Sequence, residues 1–221
     1  MMIKRINNYV LTRFSRSSNL IILSFMTLSF ALLTGCASLT SNDAETTQAE
    51  VEIAKGVWVG LPAPRDLGYS LSASQLISVS YQNTTNQLPT QLQASDDKVV
   101  LAGFSSWGSR ILSLEYANNQ IDSHVMAGLG GVLPQPEQVL FNLMITLWPI
   151  EVWQPSLSKI GWTLTEENND SSQGKHRQLR NDKGEVVADI HYQNINPLKG
   201  DITFINPLLG LNIKIKTLQY K

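Results

Sequence analysis

The sequence predicts an α+β fold that is mainly β, with antiparallel strands around one apolar helix, and three observations carry the prediction. Between Ile77 and Met126 short segments alternate apolar and polar side chains and are divided by turn residues. The stretch Glu137 to Trp148 is apolar on nearly every side of a helix. From Trp162 to Lys221 the two-residue period returns. With 221 residues, 16% of them charged, 43% hydrophobic and a net charge of −1, the composition fits one globular domain. It excludes a disordered, a nucleic-acid-binding and a multi-pass membrane protein.

The N-terminus is expected to be an address and an anchor. Lys4, Arg5, Arg13 and Arg16 stand without an acid in residues 1–35, and Leu20 to Leu33 form an almost unbroken apolar run, the layout of an export signal. The run is shorter than the roughly 20 residues a membrane-spanning helix needs, which favours cleavage over a permanent span. Leu33-Thr34-Gly35-Cys36 resembles the bacterial lipobox, which implies cleavage before Cys36 and lipidation of its thiol. Ala37 and Ser38 follow in place of the Asp that retains lipoproteins at the inner membrane, so the resemblance implies the periplasmic face of the outer membrane. Cys36 is the single cysteine, so an ordinary core and no disulfide must hold the domain. Residues 36–55 are rich in Thr, Ser, Asn, Glu and Gln and are expected to form a flexible tether, leaving 56–221 as the folded domain.

Within the domain, Ile77, Val79 and Tyr81 alternate with Ser78, Ser80 and Gln82, which predicts a strand. Leu88 to Ala94, Lys98 to Phe104, Arg110 to Tyr116 and Gln120 to Met126 follow as a meander, separated by Asn83 to Asn86, Ser95 to Asp97, Ser105 to Ser109 and Asn118-Asn119. On the helix the polar residues Gln138, Asn142 and Thr146 are four positions apart and make one narrow stripe. Glu137 suits the positive end of the helix dipole and Pro149 ends the helix. Trp162 to Glu166, Lys175 to Arg180 and Val186 to Tyr192 are further strands, the last two joined by the turn Asn181 to Gly184. Asp201 to Ile205 and Leu209 to Lys221 close the chain, with Leu211, Ile213 and Ile215 alternating against Asn212, Lys214 and Lys216.

Enzymatic motifs are sparse. Gly103 to Gly108 lacks the spacing of a nucleophile elbow, which leaves an esterase or acyltransferase resting on Ser105 or Ser106 with His124. His124, His176 and His191 are far apart in sequence and show no metal-binding spacing, so they are expected to be strand-face histidines. Asp96-Asp97 and Glu166-Glu167 are adjacent pairs whose side chains point apart. Gly128 to Gly131 lacks the phosphate-loop Lys, and no cofactor is indicated. The lysines at 214, 216 and 221 fit edge-strand protection as well as an anionic-headgroup patch. Five tryptophans are present, and Trp107 stands in a Ser/Gly loop where burial is hard to arrange.

Taken in order, the lipobox, the meander, the helix ending in Leu147-Trp148-Pro149 and the closing strands resemble the Lol lipoprotein-carrier fold. More closely, they resemble an uncharacterised lipoprotein family associated with aryl polyene biosynthesis. The matching segments are Leu61-Pro62 through Leu67-Gly68, Leu71 with Gln75, Gly103-Phe104 with Trp107 to Arg110, and Pro136 through Pro149. The resemblance implies an incomplete antiparallel β-barrel, a half-barrel covered by the helix, with acyl chains lying in an apolar cavity between them. The candidate lining is Val79, Leu101, Leu112, Leu114, Leu140, Leu143, Met144, Leu147, Ile190, Ile213 and Ile215. Trp107 and Gly108 fall where the family's outer-membrane receptor carries a projecting Leu-Gly loop, and Trp preserves the apolar tip.

The expected function is that of a non-enzymatic outer-membrane lipoprotein. It would bind a lipid or acylated ligand, an acyl or aryl polyene lipid, in the half-barrel cavity and aid its transfer or insertion. Its acyl chains would hold it to the outer membrane, with a periplasmic carrier or biosynthetic complex as partner. The alternative is a tethered interaction module of the same fold with a filled core.

Overall fold

The computed structural model describes residues 48–81, 84–129, 135–169 and 174–221. The expected signal peptide over 1–35, Cys36 and the tether up to residue 47 lie outside the described residues, as do Gln82, Asn83, Gly130, Gly131 and Pro134. The tether does not run on to Lys55. Glu50–Ala54 forms strand β1 and Val57–Gly60 forms strand β2, an antiparallel hairpin turned by Gly56 at φ 74°. In β1 the glutamates at 50 and 52 face solvent while Val51 and Ile53 are buried, so a two-residue period lies inside a stretch of polar composition. The folded part therefore begins ahead of Gly56.

The strands that follow are β3 (Leu71–Tyr81), β4 (Thr84–Ala94), β5 (Lys98–Phe104), β6 (Arg110–Ala117) and β7 (Gln120–Val125). After them come helix α1 (Pro136–Leu147), a 3-10 turn at Ile150–Val152 and the short helix α2 (Gln154–Lys159). The chain then returns to β8 (Thr163–Asn169), β9 (Gly174–Arg180), β10 (Val186–Tyr192), β11 (Asp201–Asn206) and β12 (Leu211–Tyr220). These ten strands make one antiparallel sheet in the order β7-β6-β5-β4-β3-β12-β11-β10-β9-β8. Two meanders are thus joined where β12 lies beside β3, and the sheet is open, with β7 and β8 as its edges. No helix among the described residues is long and apolar enough to cross a membrane.

Strands β3 and β4 are longer than their apolar alternation indicates. Leu71 to Gln75 extend β3 upstream, with Leu71, Ala73 and Gln75 facing inward, and Thr84 to Asn86 extend β4 where turn chemistry was expected. Pro89 lies inside β4, and β5 pairs with β4 only from Thr90 onward. Its missing N–H therefore interrupts no hydrogen bond on that side.

The register puts one set of side chains on a common inner face. Ala73, Leu92, Leu101 and Leu114 form one row across four strands. Ile77, Ile215, Ile202 and Tyr192 form another, and Val79, Ile213, Phe204, Ile190 and Arg177 a third. Helix α1 covers part of this face and also packs against β1 and β7. Leu140, Phe141, Met144, Trp148 and Trp153 are buried there with Val51, Val59 and Leu61 of the N-terminal segment. Trp148 donates its indole N–H to the Ala63 carbonyl at 3.1 Å, fixing the end of α1 to that segment.

Candidate functional site

The site is the part of the inner face that α1 does not close. At one end of strands β3, β4 and β12 the inner residues are buried: Leu71 and Ala73, Leu92 and Ala94, and Ile215. Toward the other end Ile77, Val79, Leu88, Leu211 and Ile213 are only half-buried. Ile77 pairs with Leu88 and Ile215, and Val79 pairs with Ile213, so the half-covered side chains form one continuous apolar stretch. Gly103 lets Leu88 and Leu112 pack directly on the sheet backbone, because a Cβ there would come within 3.0 Å of a Leu88 methyl and 3.2 Å of the Leu112 Cβ.

Between the closed and half-open parts stands a small polar group around Gln75, which the sequence marks only as a position of the family resemblance. Gln75 is buried and donates through its amide to the Thr217 hydroxyl at 3.2 Å, and the Thr90 hydroxyl donates to the Gln75 backbone carbonyl at 3.3 Å. The Gln75 side-chain carbonyl has no hydrogen-bond partner among the described residues.

The antiparallel order places the end of β3, the β5–β6 turn, the segment after β7 and the β11–β12 turn at this same half-open end. Five of the ten exposed large apolar side chains among the described residues stand in those places, Tyr81, Trp107, Met126, Leu208 and Leu209, while Trp58, Tyr69, Ile195, Leu218 and Tyr220 stand elsewhere. Trp107 is 88% exposed. Its turn is held by the Ser105 carbonyl, which accepts the Gly108 N–H at 2.9 Å, and Gly108 takes a φ of 83° that only glycine adopts without strain. Leu208 was missed and Leu209 was expected to open the last strand, which starts instead at Leu211, although two leucines directly after Asn206-Pro207 are a legible sign of an apolar turn.

Of the eleven expected lining residues, Leu101, Leu112, Leu114, Leu140, Leu143, Met144, Leu147, Ile190 and Ile215 are buried in one cluster. Val79 and Ile213 are the two in the half-open stretch. The polar stripe of α1 is satisfied within the helix: Gln138 donates to the Asn142 side chain at 3.3 Å and Thr146 to the Asn142 carbonyl at 2.6 Å. Ser105 accepts the Ser109 N–H at 3.1 Å inside its own turn, and His124 lies opposite Ser113 on the outer face of β7.

The helix that borders the site is pinned at its C-terminal end. The last carbonyls of a helix lack partners of their own. Here buried Arg177 donates to the Ile145 and Trp148 carbonyls at 2.5 and 2.8 Å, and the Tyr192 hydroxyl donates to the Thr146 carbonyl at 2.7 Å. Glu166 accepts from Arg177 at 2.6 and 2.8 Å and pairs with Lys175 at 3.1 Å. Burial pushes the Glu166 carboxyl up, but the charges and hydrogen bonds of Arg177 and Lys175 outweigh it and hold the group below the usual carboxylate range. Burial pushes the Tyr192 hydroxyl up and the Lys175 ammonium down. Lys175 also lies 4.6 Å over the Tyr192 ring.

An open antiparallel sheet with a half-covered apolar face and an apolar rim at one end defines the class. Within it, the chain belongs to the DUF3261 family, described as proteins of unknown function, whose family model matches residues 72–219. No curated protein matches the chain. Among solved structures it is similar to a LolA superfamily protein from Nitrosomonas europaea, at 7% identity and a TM-score of 0.40, over 73% of this chain and 94% of that one. It is also similar to a DUF1329 family protein from Desulfovibrio piger, at 7% identity and a TM-score of 0.37, over 72% of this chain and 88% of that one.

Proposed function

We propose that the protein is a non-enzymatic outer-membrane lipoprotein, anchored through Cys36, that binds an acyl or aryl polyene lipid and aids its transfer or insertion. The observation that supports this reading is the gradient of burial along β3, β4 and β12, which ends in half-covered apolar side chains beside an exposed apolar rim. A lipid tail laid over Ile77, Val79, Leu88 and Ile213 gains about 25 cal/mol for each Å² of apolar surface it removes from water. Trp107 at the rim gives the ligand a point of contact with a bilayer, where an indole ring favours the interface.

The test is a fluorescence titration of the full chain with cis-parinaric acid, a polyene fatty acid. Val79→Asp and Ile213→Asp place a charge in the half-open stretch without emptying the closed core, and each is expected to weaken binding tenfold or more. Unchanged binding in both would contradict the assignment.

One observation favours a second reading, an anchored interaction module. Nine of the eleven expected lining residues are buried among themselves, which is the packing of a filled core. That reading predicts no polyene binding and a stable protein partner at the same rim.

A further inference from the structure

The outer face of the sheet carries a cluster that the lipid reading does not use. His176 on β9 and His191 on β10 are directly opposed across the two strands, and Asp189 lies two residues before His191 on the same face. The fold thus joins two histidines that fifteen positions separate in sequence. Their rings stack with centroids 4.5 Å apart and planes 12° from parallel. Both turn the same nitrogen to one carboxylate: His176 Nε2 meets Asp189 Oδ1, and His191 Nε2 lies 3.2 Å from Asp189 Oδ2. Gln178 donates to Asp189 Oδ1 at 3.3 Å and so orients the carboxylate from β9. Glu167 on β8 stands opposite His176 in the register, on the same outer face.

We propose that His176, His191 and Asp189 form a binding site for a divalent transition-metal ion, of the kind that zinc or copper(II) takes. The ligand chemistry is that of two imidazole nitrogens and one carboxylate. The three ligand atoms lie within 4.8 Å of one another. Bonds of about 2.1 Å to one ion set such atoms at most about 4.2 Å apart, so small side-chain rotations close the site. Toward an ionised Asp189, which only accepts, each Nε2 turns an N–H. A neutral ring presents its lone pair by moving that proton to Nδ1, and the ion then takes the place of the two protons. Glu167 or water completes the coordination, and Gln178 holds the carboxylate from outside it. The site is open to solvent, with the His191 side chain 53% exposed, so an ion has a direct path in.

The test is calorimetric titration of the full chain in detergent, carrying no histidine tag, with zinc chloride and separately with copper sulfate. One ion per chain is expected, with affinity at least tenfold weaker in His176→Gln, in His191→Gln and in Asp189→Asn, and unchanged in His124→Gln on β7. Should a variant fail to fold, imidazole nitrogen NMR of the unaltered chain decides: zinc must shift the Nε2 signals of His176 and His191 and leave His124 in place. No saturable binding, binding equally strong in the variants, or shifts confined to other groups would overturn the site. Because the cluster and the half-open apolar stretch are on opposite faces of the sheet, polyene binding is expected to be the same with and without zinc.

Discussion

Arg177 is the side chain on which α1 depends most. It is 2% exposed, and its guanidinium joins Glu166 to two carbonyls that the helix leaves unpartnered. Removing one partner of a buried ion pair typically costs about 3–5 kcal/mol, and Arg177→Met is expected to fall in that range by urea denaturation. Glu166 adds a pH signature. Its carboxyl is lower in the folded protein than in the unfolded chain, so its contribution is fully present above the unfolded value of about 4.3 and is lost as pH falls through the folded one. Acid unfolding of Glu166→Gln should therefore fall less steeply with pH than that of the unaltered chain. Trp107 is the opposite kind of residue, exposed and without a packing role. Trp107→Ser should change stability by no more than about 0.5 kcal/mol. In a Cys36→Ser background, which takes acyl anchoring out of the comparison, it should clearly weaken binding to phosphatidylglycerol and phosphatidylethanolamine vesicles; equal binding would remove the loop from the transfer step.

At the scale of elements, helix α1 and hairpin β1–β2 decide what the sheet can expose. Tyr192→Phe removes the donor to the Thr146 carbonyl and should destabilise the protein by about 1–3 kcal/mol, the cost of a buried group left unpaired. Ile53 of β1 is buried, and Ile53→Ala should cost about 2 kcal/mol or more, whereas a tether residue would cost nothing. The strands from Ile77 onward and the span of α1 were legible because side chains facing one layer repeat every two residues on a strand, and a helix buried on most sides shows few polar breaks. Strand β1 was hidden because Glu50, Glu52 and the polar residues around them dominate a composition reading, even though Val51 and Ile53 keep the period. The start of β3 was hidden because Ala73 and Gln75 are weak apolar marks. Pairing at a distance left no local trace either. Arg177 under the end of α1 is placed there by tertiary packing, and although the hairpin turn at Asn181 to Gly184 was legible, the register shift between Val186 and Ala188 that sets His176 opposite His191 was not.

Over the whole molecule the two faces of the sheet differ in what they carry. The inner face is closed at one end by α1 and the N-terminal hairpin and half-open at the other, while the outer face carries Lys214, Lys216 and the histidine cluster. What separates a ligand-binding sheet from a filled core is whether the half-covered residues Ile77, Val79, Leu88 and Ile213 take an apolar guest. Native mass spectrometry of the full chain purified in detergent, followed by solvent extraction, answers that most directly. A lipid-binding protein yields a defined lipid or polyene adduct at one per chain, lost in Val79→Asp while the protein stays folded. A folded chain that carries no apolar adduct, or an adduct retained unchanged in Val79→Asp, would contradict that function.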